Sequence, residues 1–229
     1  MDALSHLEQS RFNMIEQQIR PWDVLDPKVL ALLTLVKRED FVPLAHKALA
    51  FVDMEIPLLG SAEDALTNGY CMLAPKVEAR MLQQLNPQAR EKVLEIGAGS
   101  GYMAALLAQC AARVITLDIN SKLVQLAAAN LRHAHVTNAE VREADGVHGL
   151  AGEGPFDVIV LSGSVAEVPH NLLAQLTVGG RLGAIVGFEP MMRATVVTRT
   201  GEASFSTVQP WDTIAPRLAN FPEPSKFSF

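Results

Sequence analysis

The chain has 229 residues, 49% of them hydrophobic, and a formal net charge of −6. That length and apolar content suit one sizeable domain with an extension and exclude a disordered chain. The acidic balance argues against nucleic acid as a partner, and the absence of a run of about 18 apolar residues argues against a membrane span. The polar start, MDALSHLEQSRF, lacks the apolar region of a signal peptide. Cys71 and Cys110 form neither a disulfide framework nor a metal pattern, and His133 and His135 lack a third ligand. A reduced, cytoplasmic protein without a metal is expected. Composition leaves the oligomeric state open.

Leu7, Phe12, Ile15 and Ile19 recur at helical spacing, which predicts a helix over about 5–20. The RPWD stretch at 20–23 should stop it, because Pro21 disfavours helix in the residue before it. A second helix is expected over 26–36, with Asp26 as its N-cap and Pro27 in its first turn. Residues 41–70 look irregular and turn-rich. A third helix should start after Pro75 and run to the Asn86–Pro87 pair.

From residue 92 short apolar runs alternate with amphipathic ones. Strands are expected at 92–97, 113–119, 139–145, 156–163 and 179–187. Helices are expected between them at 102–111, 121–134 and 169–176. This alternation implies an α/β fold: a Rossmann-like, mostly parallel sheet with helices on both faces. Residues 194–208 read as a hairpin turning at Thr200–Gly201, which adds antiparallel edge strands. Residues 1–88 thus form an N-terminal helical cover segment, and residues 89–229 a nucleotide-type core ending in a hairpin.

The stretch VLEIGAGSGYMAAL, residues 93–106, joins the first of these strands to its helix. Gly97, Gly99 and Gly101 permit positive φ and a close backbone approach to a ligand. Their spacing is G-x-G-x-G, not the G-x-G-x-x-G of a dinucleotide site. Glu95 would be unhelpful beside a pyrophosphate but suits a cation such as S-adenosylmethionine. Asp118, ending the next strand, suits the two hydroxyls of a ribose. Asp145, after the third, suits an adenine amino group. Ile119, Gly146 and Leu161 stand beside these residues at strand ends and complete the candidate cofactor set.

The VLEIGAGSGY motif resembles the first motif of class I S-adenosylmethionine-dependent methyltransferases. Over residues 10–190 the chain more narrowly resembles the protein-L-isoaspartate O-methyltransferase family. Residues 13–43 are similar to that family's N-terminal helical segment. EIGAGSGYMAALLA, PFDVIVLSGSVAEVP and LLAQLTVGGRLGAIVG are similar to its cofactor core. The resemblance implies methyl transfer from S-adenosylmethionine to a carboxylate of damaged, isoaspartyl protein, with S-adenosylhomocysteine as product.

One departure bears on the acceptor. The family carries a threonine-isoleucine-serine-glutamine-proline motif whose serine hydroxyl is associated with catalysis at the substrate carboxylate. In register with Pro75, this chain has Cys71 at the threonine, Leu73 at the serine and Ala74 at the glutamine. Leucine cannot hydrogen-bond a carboxylate. Ser162 and Ser164, after the fourth core strand, are the candidate catalytic residues. Lys76 and Arg80, one helical turn apart, are candidates to attract an anionic acceptor. Tyr70 and Cys71 belong to the segment expected to cover the site. A same-fold enzyme with another acceptor, or a non-catalytic S-adenosylmethionine-binding module, remains an alternative at this stage.

Overall fold

The computed structural model describes residues 3–223. The first helix, α1 (Ala3–Met14), continues as a wider π turn over Ile15–Ile19 and a 3-10 turn over Arg20–Trp22. The chain therefore coils past Pro21, and the reversal falls at Asp23, whose φ is +60°. Helix α2 (Pro27–Leu35) starts as expected, with the Asp26 side chain accepting from Lys28 N.

The turn-rich stretch and its end hide three elements. Strands β1 (Ile56–Pro57) and β2 (Cys71–Met72) pair antiparallel, and α3 (Ala62–Asn68) lies between them. Ser61 and Asp64 form a reciprocal capping box at the start of α3. Helix α4 (Pro75–Leu85) then leads into the core.

The core alternates β3 (Lys92–Ile96), α5 (Tyr102–Cys110), β4 (Arg113–Asp118), α6 (Ser121–His133), β5 (Ala139–Glu143), β6 (Phe156–Val165), α7 (His170–Leu173), β7 (Leu176–Phe188), β8 (Met191–Arg199) and β9 (Phe205–Asp212). The seven-stranded sheet has the order β5-β4-β3-β6-β7-β8-β9. Its first five strands run parallel, and β8 and β9 are antiparallel at one edge. Thr200 N bonds Ser204 O at 2.8 Å and closes the turn between β8 and β9.

Two boundaries differ from the pattern-based expectation. Helix α7 stops at Leu173, because Gln175 O accepts from Phe156 N and Leu176 pairs with Phe156. Strand β7 consequently begins before Gly179–Gly180 and carries that pair within it.

Alternate residues of each parallel strand serve opposite faces. Val93, Val114, Val158 and Val160 join one hydrophobic cluster with α2, α4 and α5. Leu94, Ile96, Ile115, Leu117, Ile159 and Leu161 join a second with Leu172, Leu173 and Phe221. The first cluster runs without a break from Met14 to Ala215, so the N-terminal helices and the sheet share one interior. Among the described residues no helix is long and apolar enough to cross a membrane.

Candidate active site

The carboxyl ends of β3, β4, β5 and β6 open into a solvent-facing cleft lined by Gly97, Gly99, Asp118 and Asp145. Strand β3 ends at Ile96, and Gly97 N and Ala98 N donate to Leu117 O at 2.8 and 2.9 Å. The glycine turn is thereby tied to β4 before α5 begins. Gly99, at φ +50°, lines the cleft with no backbone closer than Cys71 O, 3.7 Å from an added Cβ. Gly101, at φ +83°, does not line the cleft. An added Cβ there would lie 3.2 Å from Ala127 O, so this glycine lets α5 pack against α6.

Acidic groups surround the turn. Asp118 accepts from Gly99 N at 3.0 Å and from Asn120 N at 2.9 Å. Burial raises its pKa, against the pull of these backbone donors. Asp145 accepts from Val147 N at 3.0 Å and from the Asn220 side chain at 2.8 Å. Ile119 and Gly146 line the same cleft. Glu95 lies fully buried in an adjoining recess beside Gly97 and Gly99. One of its oxygens accepts from Ser162 Oγ at 2.7 Å, and the other has no partner. Burial pushes its carboxyl up to about 8, against the Ser162 bond.

The remaining candidates divide. Ser162 stands where the cleft, the Glu95 recess and a small apolar cavity meet. Leu161 and Leu73 line that cavity, Leu73 also lines the Glu95 recess, and neither lines the cleft. Ser164 is fully buried and lines neither, its backbone being paired with Pro216 and Leu218. Lys76 and Arg80 face a separate cleft beside Trp22 and Trp211. There Lys76 pairs with Asp53 at 2.7 Å and Arg80 with Asp23 at 3.1 Å, so both cations are already engaged. Tyr70 and Cys71 cover the cofactor-side cleft, with the Cys71 thiol pushed up to about 12 mainly by burial.

Sequence reasoning missed the segment after β9. Arg217, Leu218, Ala219 and Phe221 wall the cleft. Ser164 N donates to Pro216 O and Leu218 N to Ser164 O, which straps this segment along the end of β6. Gly163 makes room for it: an added Cβ there would sit 2.8 Å from the Leu218 side chain. The signal available is the apolar residues Ile214, Ala215, Leu218, Ala219 and Phe221 in the run after the last strand.

Comparison with known proteins decides the lineage. The family model of Protein-L-isoaspartate(D-aspartate) O-methyltransferase matches residues 9–214. The chain belongs to the protein-L-isoaspartate O-methyltransferase family. Curated protein-L-isoaspartate O-methyltransferases from Rhodopseudomonas palustris and Koribacter versatilis are 39% and 36% identical to it. The first alignment covers 84% of this chain and 85% of the relative, the second 82% and 81%. A solved protein-L-isoaspartate O-methyltransferase shares the fold with TM-score 0.74 at 20% identity, over 93% of this chain and 65% of its own length. A Plasmodium falciparum structure described as a protein of this family, in complex with S-adenosyl-L-homocysteine, has TM-score 0.72 at 16% identity, over 92% and 97% of the two chains.

Within this protein-L-isoaspartate O-methyltransferase family member, Leu73 is held by its backbone. Arg38 Nη2 donates to Leu73 O at 2.6 Å, and Arg38 is itself ion-paired with buried Glu78. The Leu73 side chain fills the apolar cavity with Val77, Met81, Met103 and Ile185. Among the described residues no histidine or lysine lines the cleft, and no group of three or more metal-ligating side chains is present.

Proposed function

We propose that this protein transfers a methyl group from S-adenosylmethionine to a carboxylate of isoaspartyl protein or peptide. The observation that carries the reading is the cleft at the strand ends. It combines a positive-φ glycine turn with two acidic side chains, beside a buried glutamate whose second oxygen is unpartnered. Asp118 is placed to accept from ribose hydroxyls and Asp145 from an adenine amine, and Glu95 offers an anion to the ligand's ammonium. Ile119, Gly97 and Gly146 form apolar or backbone walls around them, and Gly101 and Leu161 support the turn and β6 from behind. S-adenosylmethionine supplies a methyl already activated by its sulfonium charge, so displacement by a carboxylate oxygen yields a methyl ester and a thioether with no proton moved.

That chemistry suits the lining. A carboxylate acceptor is ionised at neutral pH and needs no general base, and among the described residues no histidine or lysine lines the cleft. What the protein must supply is alignment and exclusion of water. Tyr70, Cys71 and the strap over β6 supply the cover. Two free cysteines suit a reducing, cytoplasmic setting.

Labelled S-adenosylmethionine, an isoaspartyl peptide and its aspartyl control test the reading. Base-labile methanol from the isoaspartyl peptide alone is the expected result. Absence of any such ester, with S-adenosylhomocysteine still bound, would replace the acceptor. Leu73→Ser reads the family departure. A hydroxyl donating to the carboxylate is worth about 1.5–3 kcal/mol, so kcat/KM is expected to rise by roughly one to two decades. An unchanged or lower value would show that the apolar side chain costs nothing.

A further inference from the structure

We infer that Arg217 is the carboxylate anchor for the methyl acceptor, a proposal that rests on the function proposed above. Among the described residues it is the sole cationic residue lining the cleft. It lies beyond residue 214, where the family match ends.

The other candidate donors are committed elsewhere. Ser162 Oγ donates to Glu95 and has no second proton to offer. Ser164 is sealed behind the strap. Lys76 and Arg80 belong to the separate cleft and hold their own carboxylates. Leu73 has no polar side-chain atom.

Arg217 lines the cleft itself and is held in place yet not saturated. Its Nη2 donates to Gly187 O at 3.0 Å, its Nε pairs with Glu223 at 2.8 Å, and its guanidinium lies 5.2 Å from the centroid of the Phe188 ring. Nη1 is buried without a partner among the described residues. A buried, unpartnered N–H on a cation is costly, and a carboxylate relieves that cost. The main chain fixes the position as well. Ser164 and Arg217 pair as a parallel bridge, which registers the arginine against the strand that carries Ser162. The backbone of Arg217 also lies against Gly69, where an added Cβ would sit 2.7 Å from Arg217 O.

Two carboxylates could use this group, the acceptor's and that of the cofactor's methionine moiety. The experiment separates them. Arg217→Gln and Arg217→Lys are compared with wild type in acceptor kinetics, S-adenosylhomocysteine calorimetry and thermal melting. An anchor used equally in ground and transition states predicts a KM for the isoaspartyl peptide raised about tenfold or more in Arg217→Gln, with kcat little changed. Lysine, which keeps the charge and loses the planar fork, should fall between. S-adenosylhomocysteine affinity should fall by much less than the acceptor KM rises. A loss of S-adenosylhomocysteine affinity matching the rise in KM would assign Arg217 to the cofactor and overturn the proposal. An unchanged acceptor KM in a folded variant would also overturn it. If glutamine prevents folding, the lysine variant decides, and wild-type KM in it counts against the anchor. A wild-type enzyme that methylates no isoaspartyl peptide is a distinct result, seen before any variant is made, and removes the reading beneath the proposal.

Discussion

Glu95 has no exposed surface, one bonded oxygen and one free one, and these facts set its proton chemistry. Its carboxyl sits near 8 in the ligand-free fold because of burial, with Ser162 opposing and the charges of Glu78 and Asp118 adding. The folded state therefore holds a proton that the unfolded state releases near 4.5, and this contribution to stability is lost as pH rises toward 8. An ammonium beside Glu95 favours the ionised form, so binding expels that proton. S-adenosylhomocysteine affinity should then climb between pH 6 and 8, by at most about tenfold per unit, and level off above. Calorimetry across that range should show the slope in wild type and a flat profile in Glu95→Gln; equal slopes in both would exclude Glu95 as the source. The positions of Glu95 and Asp118 could be read from the sequence because strand ends and a glycine turn fix them. Their partners were not legible: that Asp118 braces Gly99 and that Glu95 holds Ser162 depends on how three strands sit side by side.

At the scale of elements, the glycine turn divides its labour. Gly99 is open toward the cleft, whereas Gly101 is pressed against α6. An alanine at 101 meets both a left-handed φ, costing about 1–2 kcal/mol, and the Ala127 backbone, which cannot retreat without moving a helix. Gly101→Ala should lose at least about 2 kcal/mol in urea melts and weaken S-adenosylhomocysteine binding through a displaced α5. A melt within about 0.5 kcal/mol of wild type would contradict the crowding. The parallel strands and their helices were legible because each carries its own periodicity and bounding turn. Elements β1, α3 and β2 were not, since two-residue strands have no period and their pairing joins residues 56–57 to 71–72. Helix α7 was overestimated for a related reason: its sequence continues to favour helix, but Gln175 and Leu176 are claimed by the backbone of β6. The segment after β9 escaped because a strap is defined by the strand it crosses, and no local pattern announces that.

At the scale of the whole molecule, a buried ion pair ties the N-terminal segment to α4. Arg38 is fully buried, joins Glu78 of α4 and Leu73 O, and lies 5.1 Å from the Tyr102 ring centroid. Arg38→Met strands a buried carboxylate and should cost about 3–5 kcal/mol, with most of it recovered in Arg38→Met/Glu78→Leu. Chemical denaturation of the three proteins checks this; an additive double variant would show that the two side chains do not act as a pair. At the far end of the chain, the strap has a consequence for biosynthesis. Residues 216–221 are translated after every strand of the sheet, yet they supply one wall of the ligand cleft. A ribosome that has reached residue 214 has made the glycine turn, Asp118 and Asp145, but not Arg217, Leu218 or Phe221. The nascent protein must therefore assemble its core on packing alone, and ligand can begin to stabilise it only once that last wall has emerged from the exit tunnel.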